Sequence, residues 1–514
     1  MSHDRRWPAW LAGRMRRLAL IAGLLLLPTF GLAQAPPAHP PAQAASEPDG
    51  GAGRGRTEIP RLPGDVTTQH TLDLPSGPMR VMVTAGAIRL PDDHGGALAD
   101  IAFVAYRRPD ADPRSRPVTF VFNGGPGMAS GWLQVGAVGP WRIPLVPSPS
   151  APADPEPNAD TWLDMTDLVF LDPPGTGYAR VLGGEDARRT AWSVEGDIDL
   201  LAQAIRRWLD RNDRMGSPKY LLGESYGGFR APRLTRRLQE QEGVGISGMV
   251  LLSPALDLGR IAPSTDPMAL ASRLPSEVAA LRGVQGPVTR DSLGDVEAYA
   301  AGDYVTDLLR GVRDDAAVER LSAAVARLTG LDPALVRRYQ GRLGTDVFLH
   351  EIARARAEIG SPYDATILTP DPTPLRLTSR AADPMLDGLR APITAAMVSL
   401  YHRFGWQPDR VYHLVGDAAF RSWNWGRGTT APESMGALQT ALALDPRLRV
   451  LVAHGMFDLV TPYFATELLL RQVPAFAGPS RLRLVVYPGG HMFYSDDASR
   501  AALHRDAAAL YPPN

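Results

Sequence analysis

Residues 220–235 read YLLGESYGGFRAPRLT. The run Tyr220–Leu222 has the character of a buried strand end. After Gly228, Arg230, Arg233, Arg236 and Arg237 alternate with Leu234 and Leu238 in the manner of an amphipathic helix. Between the two, Gly223, Ser225 and Gly227 spell G-x-S-x-G. That pattern alone is common; a strand before it and a helix after it turn it into a nucleophile elbow. Glycines at 223 and 227 have no Cβ, so strand and helix can approach closely. Ser225 can then take a strained turn and project its Oγ above the sheet. The competing reading is a tight turn with an incidental serine.

The rest of the chain repeats this grammar. VTFVF (118–122) runs into NGGPG, DLVFL (167–171) into DPPGTG, and ISGMVLL (246–252) into SPALD. RVLVA (449–453) runs into HGMFD, and RLVVY (483–487) into PGGH. Such unbroken apolar runs are expected of parallel strands covered on both faces. Helical spacing between them is clearest at Ile198, Leu201, Ile205 and Leu209, and again over Thr461–Val473, where Pro462 suits a first turn. Residues 65–107 carry β-leaning segments (Val81–Val83, Ile101–Tyr106) between turn residues and predict an antiparallel edge. The expected class is α/β, a mostly parallel sheet flanked by helices, with its site at the carboxyl ends of the strands.

The chain has 514 residues, 44% apolar and 21% charged, and a net charge of −1. That balance argues against nucleic acid or an anionic membrane as the main partner. Residues 1–33 read as a secretory signal: five arginines, an apolar stretch from Leu18 to Leu27, then Gly31-Leu32-Ala33. The apolar stretch is too short to span a bilayer. Its removal takes five Arg and one Asp, leaving a mature charge of −5. Residues 34–60, rich in Pro, Ala and Gly, read as a disordered linker. The α/β core is expected over 61–261 and 431–514, interrupted at 262–430 by a helical cap. That cap should contain helices around 295–310, 316–328 and 332–359, the last entered through Asp332-Pro333. The absence of Cys excludes disulfides, thiol catalysis and thiolate metal sites. The ten His are scattered without paired metal-ligand spacing, so neither a metal nor an organic cofactor is expected. An exported protein, periplasmic or secreted, follows from the signal.

A serine nucleophile needs a base and a carboxylate to hold that base. On this fold the chain order is Ser, then acid, then His. Asp458 in HGMFDLVTP and His491 in VVYPGGHMF each follow a strand end, as Ser225 does. His454 is the rival base, but it precedes Asp458 and would reverse the order. Asp458 could instead cap a helix, a role that would not exclude catalysis. Backbone N–H groups for an oxyanion are expected from Tyr226, the residue after the nucleophile, and from the NGGPG loop, best at Gly125.

Together these residues resemble the serine carboxypeptidase family of α/β-hydrolase fold. The resemblance spans about 65 to 514: NGGPG at 123–127, GPW at 139–141, LDPPGTGYA at 171–179, GESYGG at 223–228 with Pro232 downstream, Asp458 with Pro462, and GGHM at 489–492. It implies a triad of Ser225, Asp458 and His491 with Gly125 and Tyr226 as oxyanion donors. It also implies that Glu224 and Asn123, with Gly124 of the same loop, bind the terminal carboxylate of a peptide. Two carboxyl groups in contact must share a proton, so one pKa rises. Peptide hydrolysis best at acid pH is expected, with loss as Glu224 ionises.

Two positions depart from the family pattern. A Glu usually stands three residues before the Pro of the GP motif, as part of the carboxylate network; here that residue is Ala137. The residue after NGGPG is usually a disulfide-bonded Cys; here it is Met128, so the cap is expected to be held by packing alone. The expected function is a serine-type carboxypeptidase acting on peptides with a free C-terminus through an acyl-enzyme. The alternative is an esterase, amidase or acyltransferase using the same triad, with Ala137 as its main support.

Overall fold

A computed structural model describes residues 60–512, apart from 93–94, 262–265, 377–382, 427, 429, 476–477 and 479–480. The signal segment and, Pro60 aside, the linker therefore lie outside the described residues. The strands, in chain order, are β1 (Val66–Leu74), β2 (Gly77–Pro91), β3 (Ala97–Arg107), β4 (Val118–Phe122), β5 (Trp141–Arg142), β6 (Glu156–Pro157), β7 (Asp167–Leu171), β8 (Arg180–Val181), β9 (Lys219–Glu224), β10 (Gly248–Leu252), β11 (Glu358–Gly360), β12 (Leu368–Pro370), β13 (Arg449–Gly455) and β14 (Leu482–Tyr487).

One ten-stranded sheet runs in the order β1-β2-β3-β7-β4-β9-β10-β13-β14, with β8 beside β3. The first three strands and their junction to β7 are antiparallel. From β7 to β14 every pairing is parallel. This is the α/β-hydrolase fold, and the reason is visible in side-chain alternation. In β9, Tyr220 and Leu222 face one core cluster, with Trp132, Trp141, Tyr401 and Trp406. Leu221 faces the opposite cluster, with Trp208 and Leu234. A strand buried on both faces is apolar along its centre, which is the pattern the sequence carries.

The chain enters the sheet's parallel part at β4, moves outward to β7, then returns to β9 on β4's other side. The direction of winding reverses between β4 and β9, where Phe122 pairs with Gly223. Loops leaving these two strands part there and open a crevice.

The long connection between β10 and β13 is mostly helical and divides between two cores. Helices from Pro267 to Glu351 share a cluster of their own, which also takes in Met456, Phe457, Tyr463 and Phe464 around Asp458. The helix Pro384–Arg403 packs instead with Trp132 and Tyr178 in the sheet's own core. The helix expected over 332–359 is three short pieces, Pro333–Arg338, Thr345–Glu351 and Arg354–Arg356. Gly341 (φ 71°) and Gly344 lie in the first break. Packing is not the only fastening of this block. Backbone bridges join Met128 to Val415, Gly177 to His413 and Ser193 to Asn424. No described helix is long and apolar enough to cross a membrane.

Candidate active site

Ser225 follows β9 with φ 60° and ψ −120°, and the helix Tyr226–Gln241 starts at the next residue. A side chain rarely holds that conformation, and here the surroundings impose it. The Ser225 N–H donates to Leu252 O (2.9 Å), and Ser225 O accepts from Gly228, Phe229 and Ala255 N–H. A Cβ on Gly223 would lie 2.2 Å from Gly227 O, so this turn closes only on glycine. One on Gly124 would lie 2.4 Å from Tyr226 N, so the β4 loop crosses the elbow directly. Gly125 (φ 101°) follows in that loop. Tyr226 opens its helix, so its N–H has no acceptor in the preceding turn.

A cavity open to solvent lies over this junction. Asn123, Gly124, Gly125, Glu224, Ser225 and His491 line it together. Its remaining wall is mainly apolar: Met128, Trp132, Leu386, Phe420, Val460 and Met492, with Tyr363. Asp458 lies behind His491, and the Tyr226 side chain lies outside the wall, 5.5 Å ring to ring from Trp423 and edge-on to it.

His491 Nδ1 is 2.8 Å from Asp458 Oδ2. Asp458 Oδ1 accepts from Val460 N–H (2.8 Å) and Thr461 N–H (2.9 Å), and Oδ2 from the Thr461 hydroxyl (2.6 Å). Burial pushes this carboxyl up, but the His491 charge and these donors outweigh it and hold the group below its usual range. Burial likewise pushes His491 down, and the Asp458 carboxylate more than reverses that, leaving it above 6.5. With Nδ1–H on Asp458, Nε2 is the nitrogen free to accept a proton. Asp458 does not cap the next helix, Tyr463–Leu470, whose cap is Pro462. His454, the rival base, is fully buried with Nε2 at 2.9 Å from Thr466 Oγ1, and burial lowers it to about 4.

Glu224 is buried beside Ser225, and burial raises its carboxyl to about 7. Asn123 Nδ2 donates to its Oε2 and the Tyr494 hydroxyl to its Oε1 (2.8 Å). Asn123 is itself held: its Oδ1 accepts from Leu133 N–H (3.1 Å) and its backbone O from Arg230 Nη1 (2.6 Å). Arg230 is fully buried and paired with Asp197 at 2.6 Å.

Four residues here escaped the reading of the sequence. Arg230 reads in sequence as one of four arginines in a helical stretch, and its position in GGFRAP is its only signal. Tyr494 and Thr461 lie three residues after His491 and Asp458 respectively, and nothing in sequence distinguishes them. Tyr363, whose ring stands edge-on to His491 at 5.4 Å, comes from the inserted block. Among the described residues, no group of His, Cys, Asp or Glu could hold a metal ion.

Residues 99–277, which include the β4 loop and the elbow, match the family model for serine carboxypeptidases. Over that segment, about a third of its length, the chain is similar to serine carboxypeptidases. Among curated relatives, it is 31% identical over 140 residues to the pheromone-processing carboxypeptidase of Yarrowia lipolytica, covering 26% of this chain and 21% of that one. It is 24% identical over 190 residues to serine carboxypeptidase-like 34 of Arabidopsis thaliana, covering 35% and 36%. The chain thus spans well under half the length of these relatives. Among solved structures, it is similar to an esterase from Thermogutta terrifontis, with a TM-score of 0.36 at 14% identity over 83% of this chain and 99% of that one.

Proposed function

We propose that the protein is an exported serine carboxypeptidase that removes C-terminal residues from peptides. Export rests on the signal-like order of residues 1–33. Ser225, His491 and Asp458 form the triad. Ser225 Oγ attacks the last peptide carbonyl while His491 Nε2 takes its proton. The oxyanion is held by the N–H groups of Gly125 and Tyr226. His491 then protonates the departing amine, and the acyl group stays on Ser225. Water, deprotonated by His491, releases the shortened peptide and restores the hydroxyl.

The observation that carries this reading is Glu224. A buried carboxyl beside the nucleophile, gripped by Asn123, would repel any anion unless it kept its proton. Protonated, it binds a carboxylate through one shared hydrogen. Glu224 must therefore hold a proton while His491 is free of one. Glu224 gives up its proton at about 7 and the Asp458 carboxylate holds His491 above its usual 6.5, so free-acid cleavage follows a bell. Its acid limb comes from His491 and its alkaline limb from Glu224. The cavity's Met128, Trp132, Leu386 and Phe420 favour an apolar side chain next to the scissile bond.

Ala137 favours the second reading, an esterase, amidase or acyltransferase, because it is buried and its side chain cannot hydrogen-bond a carboxylate. N-blocked dipeptides, their C-terminal amides and matching esters, assayed from pH 4 to 9, separate the two. The free acid should be cleaved along a bell, and the amide far less. Cleavage of esters with no free-acid peptide cleaved at any pH overturns the first reading. Ser225→Ala should lower every one of these activities by at least about 10⁴-fold.

A further inference from the structure

We infer that Tyr494 is a positioning residue that sets the upper pH limit of this site, because its hydroxyl, fixed on Glu224 Oε1, opposes retention of the proton with which Glu224 grips a carboxylate. The inference rests on the carboxypeptidase reading above.

Tyr494 is fully buried in the turn Phe493–Ser495, three residues after His491. Its hydroxyl donates to Glu224 Oε1 at 2.8 Å. The ring lies along the segment Gln134–Val138: a Cβ on Gly136 would stand 3.3 Å from Tyr494 Cε2. That segment presents Ala137, so its side chain offers Glu224 no hydrogen bond. Burial and the neighbouring carboxyl keep the phenol protonated well above its usual 10, so it donates throughout the working range.

A permanent donor favours the ionised carboxyl over the neutral one. Asn123 acts the same way on Oε2. Burial acts against both, and so, more weakly, does the Asp458 charge. A positive His491 favours ionisation. Tyr363 stands near enough to feel the Glu224 charge, and Arg230 lies behind Asn123. Of these groups, Tyr494 alone donates directly to Glu224 without lining the cavity as Asn123 does or belonging to the triad. Its hydroxyl can therefore be altered without touching the bound peptide.

The test is kcat/KM against pH for wild type and Tyr494→Phe, on an N-blocked dipeptide and on its C-terminal amide. Loss of one charge-assisted hydrogen bond should raise the alkaline limb for the free acid by about one pH unit. The amide profile should not move, since that substrate needs no proton on Glu224. Incorporating 3-fluorotyrosine at 494 keeps the packing and strengthens the donor, so the limb should move down. A limb that stays put in both proteins overturns the inference, as do free-acid and amide profiles that change together. A wild type that never cleaves the free acid overturns the parent reading and this one with it. A wild type that cleaves it, with an unmoved limb in the variants, overturns this inference alone.

Discussion

Two histidines stand at the same end of the sheet, one near the end of β13 and one just after β14. His454 and His491 are both buried, with 0% and 3% of their surface exposed. Burial opposes the imidazolium in each. Yet His454 sits at about 4, while His491 is held above 6.5. The difference is the group each ring touches. His454 Nε2 meets the neutral hydroxyl of Thr466, whereas His491 Nδ1 meets a carboxylate that three other donors keep ionised. A buried ring beside a hydroxyl stays neutral. A buried ring beside a fixed charge can take a proton and return it.

The strongest test of this contrast is to remove each ring. His491→Ala should lower kcat/KM by about 10⁴-fold or more, measured on the best peptide or ester. Substantial activity remaining would hand the base to another group, His454 first. Asp458→Asn should cost about 10³- to 10⁴-fold, because the amide stabilises the wrong tautomer. Thr461→Val removes one donor from Asp458 and should cost about 10-fold, from a loss of roughly 1.4 kcal/mol.

His454→Gln should leave kcat/KM within about threefold, since the ring touches no reacting atom. Its effect should appear in stability instead. A folded pKa near 4 against about 6.5 unfolded means the unfolded chain takes up a proton first as pH falls. The stabilisation is present above pH ~6.5 and is lost progressively towards pH ~4, to a total of about 3 kcal/mol. His491 has the opposite sign: its share is complete at low pH and is lost as pH rises through its raised folded value. Urea midpoints at pH 7 and 4.5 should thus diverge less in His454→Gln than in wild type. An unchanged gap would show that His454 is not held neutral by burial.

Much of this architecture was legible before any coordinates. VTFVF, DLVFL and RVLVA are strands because a strand covered on both faces is apolar at nearly every position, and that preference operates residue by residue. The Ser225 elbow was legible for the same kind of reason: Gly223 must lack a Cβ where strand and helix meet, and that requirement is local. The chain positions of Asp458 and His491 after successive strands were enough to bring both into the candidate site. The course of the inserted block was not legible. Met385 and Leu389 look like any amphipathic helix, and only the packing decides that they face the sheet's core and not the cluster around Val296 and Leu321.

The amino-acid order by itself determined the parallel sheet, the strand-end glycines and the order Ser225, Asp458, His491, since each depends on residue type and short-range spacing. Tertiary structure alone decided which of two buried histidines meets the carboxylate. It also placed Tyr363 from the insertion on that histidine, and turned Arg230 inward to Asp197. Tyr494 on Glu224 belongs with these. All are contacts between segments tens to hundreds of residues apart, made by side chains whose identity says only that they can donate a hydrogen bond. Which acceptor they reach is a matter of how the chain closes on itself.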